Sequence, residues 1–144
     1  MEPEDALVRK PIVFIASAKK ALKKMPVDIQ ASFGFKLDRA QMGKHPEGAR
    51  PFGEGLPSDI LKLFDNSDGE TYRAAYVVAF AGVVYVLDAF QKKSKTGKET
   101  PKLDKERVKH RYEMAKADYE LNKHKYLETK PAPKDSGSTK GGGK

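Results

Sequence analysis

Two β-rich runs joined by a glycine constrain this 144-residue chain most strongly. Glu70–Phe80 and Val83–Phe90 are rich in valine, tyrosine and phenylalanine, which pack well on a pleated surface. Ala81-Gly82 lies between the two runs, and Gly82 can supply the positive φ that a tight connection with a bulge requires. The sequence therefore predicts an antiparallel hairpin against which the remaining elements pack.

Shorter patterns predict the elements around this hairpin. An apolar run predicts a strand, two apolar stripes at helical spacing predict an αα-hairpin, and the turn residues Asn66–Gly69 follow a third strand-like run. The predicted order is β-α-α-β-β-β-α. It defines an α+β protein whose small antiparallel sheet is covered on one face by an N-terminal αα-hairpin and a long C-terminal helix. The surrounding elements are strands at Lys10–Ala16 and Asp59–Asp65, and helices at Ala18–Met25, Pro26–Met42 and Pro101–Leu127.

Length and composition set the domain organisation and exclude several protein classes. One domain is expected over residues 8–127, with a flexible Met1–Leu7 and a disordered low-complexity tail at 128–144. The chain has no cysteine, and its three histidines lack zinc-motif spacing, so we expect no metal and no cofactor. No run of 18 apolar residues or apolar signal region occurs. We therefore expect a cytoplasmic protein without a membrane contact.

The positive charge of the chain is concentrated rather than spread evenly. Of the net charge of +8, Gln91–Arg111 contributes +6 and residues 128–144 contribute +2, so the rest is neutral. A localised excess is typical of a polyanion-binding surface, and an ordinary solvated surface is the alternative. The basic residues of Gln91–Arg111 are Lys92, Lys93, Lys95, Lys98, Lys102, Lys105, Arg107, Lys109 and Arg111.

The two turns predict which side chains share a face of the sheet. A four-residue loop at Asn66–Gly69 would place Lys62 opposite Arg73, and a two-residue loop at Ala81-Gly82 would place Arg73 opposite Phe90. Strand alternation then adds two more residues to this face. They are Asp88 and Lys92. The opposite, more apolar face should receive the helices, and it carries Tyr72, Ala74, Tyr76, Val78, Phe80, Val83, Tyr85 and Leu87.

Two cations opposed across a sheet indicate a nearby negative charge. Lys62 and Arg73 would repel each other unless an anion lies between them. A planar guanidinium on a central strand is suited to bidentate phosphate contact, which favours a phosphate-binding face. The alternative is a structural pair in which Asp88 or a distant carboxylate neutralises Arg73. A register slip of one residue would exchange the faces and remove the inference.

Several short blocks resemble a known family. They are Thr71-Tyr72-Arg73-Ala74-Ala75-Tyr76, the run VYVLDAFQKKS at residues 84–94, and Thr100-Pro101, with weaker matches at residues 9–11, 17–20 and 43–46. Over Lys10–Tyr119 the chain resembles the phage-derived, HigB-like branch of the RelE/ParE toxin superfamily. The combination of the Y-R-x-x-Y strand with the F-Q-K-K-S block carries the resemblance.

The resemblance implies a toxin of a type II toxin–antitoxin system. Such toxins are metal-independent endoribonucleases that cut messenger RNA, usually in the ribosomal A site. Each is encoded with an antitoxin, which in this branch is often a helix-turn-helix, HigA-like DNA-binding protein. The resemblance places the catalytic arginine at Arg73 and further catalytic basic residues at Lys92 and Lys93.

Other roles stay open at the level of sequence. Lys62 or Asp88 is a candidate for proton transfer, although many relatives carry Glu and His at these positions, so no general base is assigned. Phe90 either stacks on a base or packs in the core. The candidate RNA-phosphate contacts are Lys95, Lys98 and Lys102.

Three alternative functions are also compatible with the predicted fold or with the concentrated positive charge. The ParE branch targets DNA gyrase, and a catalytically inactive relative would bind RNA without cleaving it. A structural phage-derived protein with a solubilising basic tail is the third.

Overall fold

The computed structural model describes residues 9–92 and 100–127, and within them the chain forms five strands and three helices. The strands are β1 (Ile12–Phe14), β2 (Arg50–Pro51), β3 (Leu61–Ser67), β4 (Glu70–Val77) and β5 (Val84–Lys92). The helices are α1 (Ala18–Lys23), α2 (Val27–Gln41) and α3 (Lys102–Leu127). The predicted α+β class and the order of the seven predicted elements are confirmed. The predicted tail at 128–144 lies outside the described residues.

The strands form one sheet in the order β1-β5-β4-β3-β2. β4 pairs antiparallel with both neighbours, but β1 pairs parallel with β5, so the sheet is mixed rather than wholly antiparallel. β2 adds a short antiparallel edge inside a segment whose glycines and prolines had predicted only a loop. The hairpin of β4 and β5 is therefore the centre of the sheet, as the sequence indicated.

A bulge in β5 changes which residues share a face. Arg73 lies opposite Phe90 and Ala75 opposite Asp88, but Tyr76 lies opposite Val86, so Leu87 is an extra residue. The connection between the strands spans residues 78–83 instead of the predicted two residues. A bulge reverses the facing of residues beyond it. The predicted register therefore holds at Arg73 and is wrong near the turn.

Helices consequently cover both faces of the sheet, and the prediction that they cover one face is wrong. The αα-hairpin of α1 and α2 packs on one face around Phe33, Leu63, Ala74, Tyr76, Val84 and Val86. α3 packs on the other face around Ala75, Val77, Val83, Tyr85, Leu87 and Val108. The bulge moves Val83, Tyr85 and Leu87 away from their predicted face, and these side chains give α3 an apolar surface to bury.

Two contacts align the helices with the sheet. Gly82 has the predicted positive φ, 89°, and a Cβ there would lie 2.7 Å from the backbone oxygen of Tyr126, so glycine permits the close approach of the end of α3. Ser17 precedes α1 but makes no capping hydrogen bond with its side chain. Its hydroxyl instead accepts a hydrogen bond from Arg111 Nη2 at 2.9 Å.

The two buried tyrosines of the central strands differ in one respect. Tyr76 and Tyr85 are both 0% exposed. Tyr85 donates a hydrogen bond to Asp118 Oδ2 at 2.6 Å, whereas the Tyr76 hydroxyl has no hydrogen-bond partner among the described residues. Burial raises the pKa of Tyr76 to about 12, so its hydroxyl remains neutral.

We expect opposite effects when each hydroxyl is removed. Tyr76→Phe should leave the free energy of unfolding unchanged or raise it by up to about 1 kcal/mol, because it removes a buried polar group that has no partner. Tyr85→Phe should lower it by about 1–2 kcal/mol, because Asp118 loses a donor. Urea denaturation of both variants measures the difference. Equal destabilisation would show that the Tyr76 hydroxyl is satisfied.

Candidate functional site

Arg73 lies on the central strand β4, on the face that α3 covers. Its cross-strand neighbours are Phe64 on β3 and Phe90 on β5, so an aromatic residue flanks it on each side. Arg73 is 7% exposed. A buried guanidinium must be paired, since an isolated charge is very costly in a low dielectric. Its polar neighbours therefore define what the site can do.

Lys62 does not lie directly opposite Arg73 as predicted, but the two side chains do lie on the same face of the sheet. β3 and β4 are joined by a two-residue turn, Asp68-Gly69, whose residues both have positive φ, so pairing continues to Ser67 and Glu70. This displaces the register by two residues and places Lys62 opposite Ala75. A displacement by two preserves the facing of every side chain. Lys62 therefore lies diagonally beside Arg73.

A threonine and a glutamate contact Arg73 from distant parts of the chain. Arg73 Nη1 donates a hydrogen bond to Thr100 Oγ1 at 2.6 Å and lies 3.7 Å from Glu54 Oε2. Thr100 in turn donates to Glu54 twice, from its backbone N–H at 2.6 Å and from its hydroxyl at 3.1 Å. Burial lowers the pKa of Arg73 while Glu54 opposes that shift. The guanidinium stays protonated at neutral pH.

Lys62 extends this cluster towards the edge of the sheet. Its ammonium lies 5.2 Å from the centre of the Phe52 ring, and Arg50 is its partner on β2. Burial and the charges of Arg73 and Arg50 lower the pKa of Lys62, while Glu54 partly opposes them. A lysine with a lowered pKa exchanges its proton more readily near neutral pH than an ordinary lysine does.

Asp88 is on the predicted face but belongs to a different group of charges. Both of its carboxylate oxygens are engaged by α3, with Arg107 Nε at 2.7 Å and Arg111 Nη1 at 3.0 Å. Asp88 is 2% exposed. Asp104 binds the other side of Arg107, at 2.5 Å. This arrangement fastens α3 to the sheet, and it does not pair Asp88 with Arg73.

The remaining predicted site residues lie in different parts of the structure. Phe90 is 7% exposed and packs in the core beneath α3, which is the packing alternative raised from the sequence. Lys92 ends β5 opposite Thr71, and alternation places it on the face of Arg73. Lys102 is exposed on the first turn of α3 and lies 3.9 Å from Glu106. Lys93, Lys95 and Lys98 lie outside the described residues.

Two basic residues of the stretch Gln91–Arg111 have an acidic partner within the fold. Arg107 and Arg111 carry two of its positive charges, and both are paired with Asp88. The sequence estimate of the polyanion surface counted them as surface charge. The lysines of the stretch remain candidates for that surface.

Sequence reasoning missed Glu54 and Thr100. They lie 46 residues apart, and their contact depends on how the β2–β3 segment approaches the start of α3. One local signal existed, because Glu54 is a charged residue between Gly53 and Gly55. All three have positive φ, and the left-handed conformation costs a non-glycine residue about 1–2 kcal/mol.

Two other kinds of site have no counterpart in the described part of the chain. No helix within residues 9–92 and 100–127 combines the length and apolar character needed to cross a membrane. Across the same ranges, no three carboxylate, imidazole or thiol side chains lie close enough together to hold a metal ion.

The fold and the site define a small α+β protein in which a buried arginine, a partly buried lysine and a glutamate cluster on one face of the sheet. Residues 20–113 of the 144 match the family described as "Phage derived protein Gp49-like (DUF891)". The chain therefore belongs to the phage-derived Gp49-like family. No curated protein gives a significant match to the sequence.

Solved structures of the Escherichia coli toxin RelE are similar to this chain. A double mutant of RelE in the free state is 22% identical, with a TM-score of 0.46, and the match covers 60% of this chain and 87% of that one. A crystal structure of the isolated RelE toxin is 24% identical, with a TM-score of 0.45, and the match covers 70% of this chain and 97% of that one.

The ion pairs of Asp88 give a test of its role. Asp88→Asn should lower the free energy of unfolding by roughly 2–4 kcal/mol, because it leaves the buried guanidinium of Arg111 without a counter-charge. The loss is moderated at Arg107, because that side chain is partly exposed to water. Asp104→Asn, which removes only the outer partner of Arg107, should cost less than about 1 kcal/mol. Chemical denaturation measures both. Lost activity with unchanged stability in Asp88→Asn would instead support the proton-transfer role.

Proposed function

We propose that this protein is the toxin of a type II toxin–antitoxin system and that it cleaves messenger RNA on the ribosome. The observation that carries the proposal is the pair Arg73 and Lys62, two cations held on one sheet face beside the carboxylate of Glu54. The resemblance of the Tyr72–Tyr76 strand and the Phe90–Ser94 block to the RelE/ParE superfamily supports it, as does membership of a phage-derived family.

The proposed reaction is attack by a ribose 2′-hydroxyl on the adjacent 3′-phosphate. A bond forms between O2′ and phosphorus, the bond from phosphorus to O5′ breaks, and the proton of the 2′-hydroxyl leaves while O5′ gains one. Negative charge accumulates on the phosphoryl oxygens in the transition state. A preorganised guanidinium in a site with little water stabilises that charge more strongly than one in bulk solvent. We assign this role to Arg73.

Lys62 is the proposed proton donor to the leaving O5′. Its pKa is lowered, so the proton is easier to give up than that of an exposed lysine. Asp88 is less suited to proton transfer, because Arg107 and Arg111 hold both of its oxygens. Lys92 and Lys93 remain proposed supports for the phosphate, and Lys95, Lys98 and Lys102 remain proposed contacts to ribosomal RNA.

The proposed partners follow from the proposed toxin function. The ribosome and its messenger RNA are the targets, and a cognate antitoxin, of the helix-turn-helix HigA-like type, is the inhibitor. The proposed reaction needs no metal, and the proposed site of action is the cytoplasm.

Substitution of Arg73 tests its proposed role in stabilising the negative charge of the transition state. Arg73→Lys keeps the charge but loses the planar pair of nitrogens, so we expect transcript cleavage to fall by roughly 10²–10³-fold. Arg39→Lys is the matched control, since Arg39 lies on α2, which packs on the opposite face of the sheet, and it should retain cleavage within about threefold. Induction in a bacterial host, followed by mapping of transcript ends, measures both. Thermal unfolding verifies that each variant is folded.

Two outcomes would contradict the proposal. Growth arrest by the wild-type chain without cleaved transcripts would point to a gyrase-directed toxin. Full cleavage by a folded Arg73→Lys variant would remove bidentate phosphate contact from the mechanism.

The lowered pKa of Lys62 predicts a pH dependence. If the ammonium form donates the proton, kcat/KM for ribosome-bound message should fall as pH rises through the Lys62 pKa, which lies below the ordinary value of 10.5. Lys62→Arg should reduce the rate by about 10²–10⁴-fold, because a guanidinium does not release its proton, and should remove the alkaline fall. Lys44→Arg, at an exposed lysine, should change neither. The same alkaline fall in Lys62→Arg would exclude Lys62 as its source.

A further inference from the structure

The carboxylate of Glu54 occupies the point where several donors of the site converge. Glu54 Oε1 accepts the Thr100 backbone N–H at 2.6 Å, and Oε2 accepts the Thr100 hydroxyl at 3.1 Å. Arg73 Nη1 lies 3.7 Å from Oε2. The Glu54 side chain is 16% exposed, so these contacts form largely away from water. The carboxylate therefore has the surroundings of a bound anion.

These donors are of the kinds that bind a phosphate. Backbone N–H groups, hydroxyls and arginines supply most protein contacts to the oxygens of a nucleic-acid backbone. Here one N–H and one hydroxyl donate to the Glu54 carboxylate, and the Arg73 guanidinium, which donates to the Thr100 hydroxyl oxygen, lies 3.7 Å from the same carboxylate. The positive charge of Lys62 also interacts with Glu54. A phosphate oxygen placed at the Glu54 carboxylate would find the same partners.

The backbone does not favour the position of Glu54. Its φ is 56°, in the left-handed region, and it lies between Gly53 and Gly55, which have φ of 73° and 82°. A residue with a Cβ is strained in this conformation, and such strain persists only while surrounding contacts maintain it. The contacts to Thr100 and Arg73 supply that support. An anion that replaced the carboxylate would allow the segment to relax.

We propose that Thr100 and Arg73 form a phosphate subsite, that Glu54 fills it in the free protein, and that a backbone phosphate of RNA displaces Glu54 on binding. The inference rests on the proposed function, because it names the residues that receive the scissile or a neighbouring phosphate. Two anions cannot share these donors, so the affinity for RNA is reduced by the fraction of molecules in which Glu54 occupies the subsite.

A different role for Glu54 makes a different prediction. If Glu54 were the base that takes the 2′-hydroxyl proton, it would remain in place beside the substrate. Removal of its charge would then abolish cleavage and would leave RNA affinity unchanged. In the proposed role, removal of the charge increases affinity, because the subsite is empty before RNA arrives.

The test compares two glutamates that lie between α2 and β3, in the full-length chain. Glu54→Gln removes the competing charge, and Glu47→Gln is the matched control, because Glu47 is exposed and its substitution changes the net charge equally. The probe is a short RNA that carries 2′-O-methyl groups and cannot be cleaved, with binding followed by fluorescence anisotropy. We expect Glu54→Gln to bind about tenfold more tightly than Glu47→Gln, which corresponds to a subsite filled in about 90% of molecules.

Two further variants strengthen the test. Glu54→Gly removes the side chain and suits the positive φ, so it should fold even if Glu54→Gln does not, and it should show the same gain in affinity. Thr100→Val in the Glu54→Gln background should cancel the gain, because it removes the hydroxyl, whereas Thr100→Ser should keep it. Equal affinities of Glu54→Gln and Glu47→Gln, or a gain that survives Thr100→Val, would overturn the proposal.

Inorganic phosphate separates this inference from the proposed function. Binding of phosphate by isothermal titration calorimetry should be stronger in Glu54→Gln than in Glu47→Gln and should be lost when Arg73→Lys is added. If phosphate binds in this way while the wild-type chain cleaves no transcript, the subsite stands and the nuclease proposal fails. If the wild-type chain cleaves transcripts while Glu54→Gln gains no affinity for phosphate or RNA, the inference fails alone.

Discussion

The pairing of β4 with β5, including its bulge at Leu87, sets where the helices pack and where Arg73 lies. At one end of the pair the register sets Arg73 opposite Phe90. At the other end the bulge turns Val83, Tyr85 and Leu87 to the same face, so that this face is apolar enough to bury α3. A straight hairpin would have placed these residues beneath the αα-hairpin. One extra residue therefore decides that the sheet is covered on both sides.

The ion pairs of Asp88 fix α3 over that surface. Arg107 and Arg111 converge on one carboxylate that is almost wholly buried, and Arg111 also reaches Ser17 beside α1. Buried charges of this kind require accurate geometry, because each unpaired member would be strongly destabilising. They hold the start of α3 in place, and with it Thr100. The position of the candidate site thus depends on the charge cluster centred on Asp88.

The candidate site combines residues that differ in how readily a sequence reveals them. Arg73 and Lys62 were predicted on one face, and this is confirmed although the turn between β3 and β4 was assigned the wrong length. The wrong length displaced the predicted register by two residues, and a displacement of two preserves the face of every side chain. The faces of Val83, Tyr85 and Leu87 were predicted incorrectly, because the bulge shifts the register by one residue and a shift of one residue exchanges the faces. Glu54 and Thr100 were not predicted, since no periodic pattern relates residues so far apart in the chain.

The type and order of the seven predicted elements, the central hairpin and the face shared by Arg73 and Lys62 could all be predicted from the sequence. These follow from local properties, namely side-chain periodicity, turn chemistry and strand alternation. Packing between distant segments sets the parallel pairing of β1 with β5, the position of α3 on the face that carries Arg73, and the contact between Glu54 and Thr100. It also decided that Arg107 and Arg111 pair with Asp88 instead of lying free on the surface. These features arise from packing between distant segments, where buried area and the pairing of buried charges outweigh local preference.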